Sequence, residues 1–190
     1  CNFCLRGSES DEDQLFVQKI ADQYNVNLYS QQFNTKTYSV ENKISIQMAA
    51  RKLRYDWFNV LKENYNFDFI CTAHHHHDSV ETFLINLIRG TGISGLHGIQ
   101  AVSHNIIRPL SAYSKQDIIA YAKNNNIMYR EDSSNTDDKY VRNKIRNKII
   151  PLMQDINPRV LESIGLTISR INDVEGIYRK FVSDKKKKLL

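Results

Sequence analysis

Three features of the sequence predict an α/β fold, with a parallel sheet carrying helices on both faces, followed by a helical segment. Strand-length runs alternate with longer stretches of helical period, the order that lays helices over a parallel sheet. The run 67–73 is apolar almost throughout, as in a strand covered on both faces. Beyond residue 138 the strand-like runs stop and only helical periodicity remains. The polar loop Glu131–Asp138 therefore marks the expected boundary between an α/β domain, residues 1–135, and a helical segment, residues 136–190.

The elements follow in order. Ser10 with Asp13 makes a capping-box-like start for a helix over 10–25, in which Leu15, Phe16, Ile20 and Tyr24 recur at helical spacing. Val26 to Phe33 alternates like a strand. Ser45 opens a long helix through Asn64, with Met48, Ala49, Leu53, Trp57, Val60 and Leu61 as its buried stripe. The apolar strand 67–73 leads into a helix from Asp78 to Arg89. After the Gly-rich stretch 90–98 come a strand over 105–108, a helix over 114–125 and an extended piece over 127–130. The stretch from Tyr140 to Val182 is helical, with interruptions expected at Pro151 and Pro158. The opening Cys1-Asn-Phe-Cys4 reads like the end of a strand with nothing before it.

Apolar residues make up 41% and charged residues 25% of the chain, the balance of a globular protein rather than a disordered one. No apolar run approaches the length of a membrane span, so no membrane partner is expected. Glu9, Asp11, Glu12 and Asp13 stand where a signal peptide would need apolar residues. Cysteines at 1, 4 and 71 make no secreted disulfide framework, which points to a cytoplasmic location. Cys1-x-x-Cys4 has metal-site spacing, but no second pair completes it. The net charge of +5 is unevenly placed, with Lys139, Arg142, Lys144, Arg146 and Lys148 close together and Lys185–Lys188 in a run. Such runs suit a phosphate-rich partner and equally a solvated helix face.

The segment Thr72-Ala-His-His-His-His-Asp-Ser-Val-Glu-Thr82 lies where a buried strand passes into a helix, and ligands collect at the carboxyl ends of such strands. Asp78 and Glu81 share one side of the first turn, where carboxylates could hold Mg²⁺ beside a histidine base. The same pair also reads as a capping box with Asp78 as N-cap. His74, His76 and Asp78 match the start of the H-x-H-x-D-H pattern of metal-dependent hydrolases, with Ser79 where the next histidine belongs. Gly90-Thr-Gly-Ile-Ser-Gly95 has the spelling of a dinucleotide loop but follows a helix, so Gly90 reads as a helix C′ residue. Gly90 and Gly92 would still let backbone come close to a ligand. Arg51 and Arg54 flank the stripe of the long helix, either lying over aromatic surface or answering phosphate charge. Arg142 and Arg146, four apart with Lys139 a turn earlier, form a stripe able to meet RNA phosphates. Ile145, Ile149, Ile150 and Leu152 supply the side that docks it.

Taken together, Leu5–Asp11, Ser45–Tyr55, Ala73-His-His with Asp78 and Glu81-Thr82, Arg89–Gly92, Ile107–Leu110, Arg130–Asn135 and Val141–Arg146 resemble the tRNA(Ile)-lysidine synthetases, in order and spacing. The resemblance implies a PP-loop ATPase fold, similar to the adenine nucleotide alpha hydrolases. It also implies a ligase that uses ATP and Mg²⁺ to adenylate cytidine 34 in the CAU anticodon of tRNA(Ile), after which L-lysine displaces AMP to give lysidine. By the same resemblance Asp78, Glu81, Arg54 and Arg146 are catalytic, with Asp78 a Mg²⁺ contact. His74, Arg51, Gly90 and Gly92 bind nucleotide or lysine, Lys139, Arg142 and Arg146 bind tRNA, and a homodimer is a candidate assembly. The family's Ser-Gly-Gly-x-Asp-Ser loop is expected upstream, so these residues alone should not catalyse. His77 stands where the family has Asp, and Cys4 where it has His. The competing readings are a PP-loop tRNA thiolation enzyme, favoured only by Cys1-x-x-Cys4, a non-catalytic RNA-binding module, and the metal-dependent hydrolase. Asp78→Asn and Glu81→Gln are expected to abolish activity and change stability little.

Overall fold

A computed structural model describes residues 1–133 and 140–189, and the chain packs as two compact units, Cys1–Ile70 and Cys71–Leu190. The first unit holds α1 (Ser8–Gln23), α2 (Thr35–Glu41) and α3 (Ile46–Asn64). Helix α1 begins earlier than the capping pattern suggests, because Gly7 at φ 56° supplies the entry turn. Ser10 Oγ accepts the Arg6 N–H, and Asp13 and Glu9 pair with the Arg6 guanidinium, so these residues fix the incoming chain. Helix α2 is too short to show an apolar period in the sequence; Asn34 caps it by accepting the Thr37 N–H at 3.2 Å. Helix α3 starts as expected, with Ser45 Oγ accepting the Met48 N–H at 3.2 Å. Its stripe is only half realised: Ala49 is fully buried, whereas Met48 and Val60 are 59% and 43% exposed. The alternating run 26–33 is likewise reduced to a parallel bridge between Asn2 and Gln32. Asn2 N–H donates to Gln31 O and Phe33 N–H to Asn2 O, both at 2.8 Å.

Strand β1 (Ile70–Cys71) straddles the division between units. The second unit continues with α4 (His76–Ile88), a 3₁₀ turn (Ile93–Gly95), β2 (Val102–Ser103), β3 (Ile106–Ile107) and α5 (Lys115–Asn124). It ends in α6 (Val141–Lys144), a π turn (Ile145–Ile149), α7 (Ile150–Ile156) and α8 (Val160–Leu189). The sheet has the order β1-β3-β2, and β2 pairs antiparallel with β3. The α/β order of elements is therefore present, but the expected parallel sheet is replaced in part by a tight hairpin, its turn carried by His104 at φ 53°. The expected extended piece over 127–130 forms no strand.

Packing does not divide the chain at residue 135. Val80, Phe83 and Leu84 of α4 share one core with Ile145, Ile150, Val160, Ile164 and Ile168 from the later helices. Pro151 does not interrupt the helix as expected, because it sits in the first turn of α7, where its missing N–H is tolerated. The preceding residues widen into the π turn, whose Ile150 N–H bonds back to Ile145 O. At Pro158 the break is real: Asn157 is extended, and its side chain accepts the Arg159 N–H at 3.0 Å.

Candidate functional site

After β1 the chain is held to β3 by Thr72 N–H donating to Ile107 O at 3.0 Å, then enters α4 through His75 in an extended conformation. Asp78 is thus the third helical residue rather than the N-cap, and its carboxylate accepts the His75 N–H at 3.0 Å. Glu81 takes no part in capping. Its side chain is 1% exposed and turned towards the later helices.

The four histidines diverge. His74 Nδ1 lies 2.8 Å from Thr72 Oγ1, His76 Nε2 donates to Leu161 O at 3.2 Å, and His77 packs edge-on against His75. His74, His76 and Asp78 thus face different partners, and among the described residues no group of three His, Cys, Asp or Glu side chains is placed to hold a metal ion. The spacing of the H-x-H-x-D pattern therefore does not bring its three side chains to one point. Burial, with help from the neighbouring His75, His76 and Arg146 and against the pull of Asp78, pushes His77 down to about 4, so its ring is neutral near pH 7.

Arg146, in the π turn, meets both carboxylates. Its Nε donates to Glu81 Oε1 at 2.6 Å and its Nη2 to Glu81 Oε2 at 3.0 Å, with Asp78 Oδ1 at 3.2 Å. This is a bidentate pair, the strong form of carboxylate recognition. Arg142 donates through Nη2 to Thr82 Oγ1 at 3.0 Å and stands 3.8 Å from Asp78 Oδ1 and from Glu81 Oε2. Two acids and two arginines thus make a locally neutral cluster. Burial pushes the Glu81 carboxyl up, and the Arg146 hydrogen bond and charge pull against it. Burial also works to lower Arg146, but Glu81 and Asp78 outweigh it and hold the guanidinium proton more tightly than usual.

The cluster does not fit a resident divalent cation, because guanidinium groups face both carboxylates where a metal would need open oxygens. The basic stripe read from spacing is turned towards α4, although Arg142 keeps a solvent side at 38% exposure. Lys139 lies outside the described residues. Gly90 closes α4 at φ 71°, with its N–H on Leu87 O and the Thr91 N–H on Asn86 O, the paired bonds of a glycine-terminated helix. The Cβ positions of Gly90 and Gly92 face open space.

Arg51 and Arg54 belong to α3 in the other unit. Their guanidinium groups lie over aromatic rings, Arg51 at 4.8 Å from the Tyr55 centroid and Arg54 at 5.1 Å from that of Phe3. Neither has a carboxylate partner among the described residues. Burial lowers the Arg54 guanidinium and the Arg51 charge adds to this, against Tyr55. Arg54, partly desolvated and without a counter-ion among the described residues, is suited to an anion. Sequence reasoning missed Leu161 and Gly165 as neighbours of the site, since a backbone carbonyl and a mid-helix glycine carry no motif.

The sequence profile of the PP-loop domain matches residues 2–153. The tRNA(Ile)-lysidine synthase of Bacteroides thetaiotaomicron is 46% identical over 190 residues, covering 100% of this chain and 45% of the relative. That of Porphyromonas gingivalis strain W83 is 42% identical over 185 residues, 97% of this chain and 41% of the relative. That of Chlorobaculum tepidum is 37% identical over 182 residues, 96% of this chain and 54% of the relative. The chain spans about half the length of the curated relatives it matches.

Proposed function

We propose that this chain, which belongs to the PP-loop domain family, is part of a tRNA(Ile)-lysidine synthase. The observation that carries the reading is 46% identity along all 190 residues to a protein of that name. In the reaction, ATP adenylates the C2 oxygen of cytidine 34 in the CAU anticodon and releases pyrophosphate. The amine of L-lysine then forms a C2–N bond as the C2–O bond to AMP breaks, and the amine gives up a proton.

Each group has a task that its surroundings support. Arg54, with Arg51, answers phosphate charge, since neither cation meets an acid among the described residues and both lie over aromatic rings. Asp78 and Glu81 attract the lysine ammonium, which must compete with Arg146 for their oxygens. Arg146 and Arg142 become available to the RNA or to the adenylate as that exchange occurs, with Lys139 extending the basic stripe. His74, Gly90 and Gly92 line the nucleotide or lysine pocket. Mg²⁺ arrives with ATP, held chiefly by phosphates and water.

The test is made with the full-length protein, ATP, labelled lysine and two transfer RNAs of CAU anticodon, the isoleucine and the methionine species. Lysine should enter only the former. Incorporation of sulfur from a donor, with no lysine in either, would overturn the reading in favour of thiolation.

A further inference from the structure

The His76 ring meets that of His77 at 6.1 Å between centroids, and three further ties converge on this residue. Its backbone N–H donates to Tyr113 O at 2.9 Å, just before the Ser114 cap of α5. Its ring Nε2 donates to Leu161 O of α8 at 3.2 Å. The ring also occupies the space above Gly165, where a Cβ would fall 2.4 Å from Cε1 and 3.0 Å from Nε2. Nearly one turn further on, Ser79 Oγ accepts the Ile99 N–H at 3.0 Å, and a Cβ on Gly98 would come within 2.3 Å of that oxygen. The first turn of α4 is thus gripped on two sides through contacts that only glycine admits.

We propose that His76 is a positioning residue for the Asp78–Glu81–Arg146 cluster. The Leu161 carbonyl and the absent side chain at Gly165 fix the ring, the ring fixes the first turn of α4, and the turn fixes where the two carboxylates stand. A bidentate carboxylate–guanidinium pair tolerates little displacement, so the anchor is felt at the cluster. Helix α8 therefore belongs to the scaffold of the site while giving it no reacting group. The consequence for activity rests on the lysidine reading; the consequence for the cluster geometry does not.

The experiment uses His76→Ala, His76→Gln, Gly165→Ala and the double variant His76→Ala/Gly165→Ala in the full-length protein. Gly165→Ala alone should lose stability by collision with the ring, and the double variant should recover it, because the methyl enters the space the ring has left. In both His76→Ala proteins the side-chain Nε–H resonance of Arg146 should shift or broaden. Lysidine formation should fall about 10- to 100-fold in kcat, with KM for ATP unchanged. His76→Gln, whose amide can still reach Leu161 O, should restore part of both signals. If the double variant is as stable as wild type and retains both the Arg146 resonance and turnover, the ring merely fills space and the proposal fails. A wild-type enzyme that makes no lysidine, but whose Arg146 resonance still responds to His76, would sink the functional reading and support the positioning role.

Discussion

Arg54 on α3 and Arg146 in the π turn are both partly buried guanidinium groups, and they differ in what answers their charge. Arg146 has two carboxylates from the fold itself, one of them bidentate. Arg54 has the face of Phe3, and burial, aided by the repulsion of Arg51 and opposed by Tyr55, moves its proton affinity in the opposite direction. A cation that folding has neutralised holds structure together, whereas one left desolvated and uncompensated is held ready for an anion from outside. The two arginines should therefore respond oppositely to removal, one through stability and the other through binding.

The largest effect is expected at the neutralised site. Arg146→Met leaves Glu81, 1% exposed, without its bidentate partner. Loss of one member of a buried pair costs about 3–5 kcal/mol, to be read from urea denaturation. A cost below about 1 kcal/mol would show that Arg142 or water answers the charge instead. The same burial revises the expectation that Glu81→Gln spares stability; Asp78, 13% exposed and sharing its oxygens with the His75 N–H, is the more forgiving position.

Arg54→Ala should do the reverse, leaving the melting temperature nearly unchanged while weakening pyrophosphate binding by about tenfold, the value of one charge-assisted hydrogen bond. Titration calorimetry with inorganic pyrophosphate checks this, and unaltered affinity would return Arg54 to a packing role over Phe3.

A smaller, pH-dependent effect belongs to His77. The folded state holds it neutral, at about 4 against an ordinary 6.5. Its contribution is therefore present above pH 6.5 and lost as pH falls towards 4. Melting curves across that window should fall more steeply for wild type than for His77→Gln; parallel slopes would show that the ring gains its proton freely. Lys52→Ala, which breaks an exposed pair with Asp56, should leave the melting temperature where it was.

Local rules were legible in the sequence, and relations between distant segments were not. Ser45 and Ser114 cap their helices and Gly90 ends α4 because each needs only its own few neighbours. The strand over 67–73 shrank to Ile70–Cys71 because a ladder exists only where a partner strand runs alongside. At the site, spacing put Asp78 with Glu81 and Arg142 with Arg146 on shared faces. It could not say that the two faces meet, because periodicity defines a face and leaves open what lies opposite. The same limit hid His76, whose partner is a main-chain carbonyl 85 residues away.

The π turn makes the number of residues between Arg142 and Ile150 matter as much as their identity. Its i−5 bond from Ile150 to Ile145 accommodates one residue more than an ordinary helical turn. Deleting one residue within the turn would close it to ordinary pitch and leave the two sides in register, whereas inserting a further residue would rotate one side of the helix against the other by about 100°. After such an insertion, either Arg146 would swing away from Glu81 or Ile150 would leave the core it shares with Val80. The stretch between Arg146 and Ile150 should thus tolerate the loss of one residue better than a gain, an asymmetry that a scan of single-residue deletions against insertions would expose.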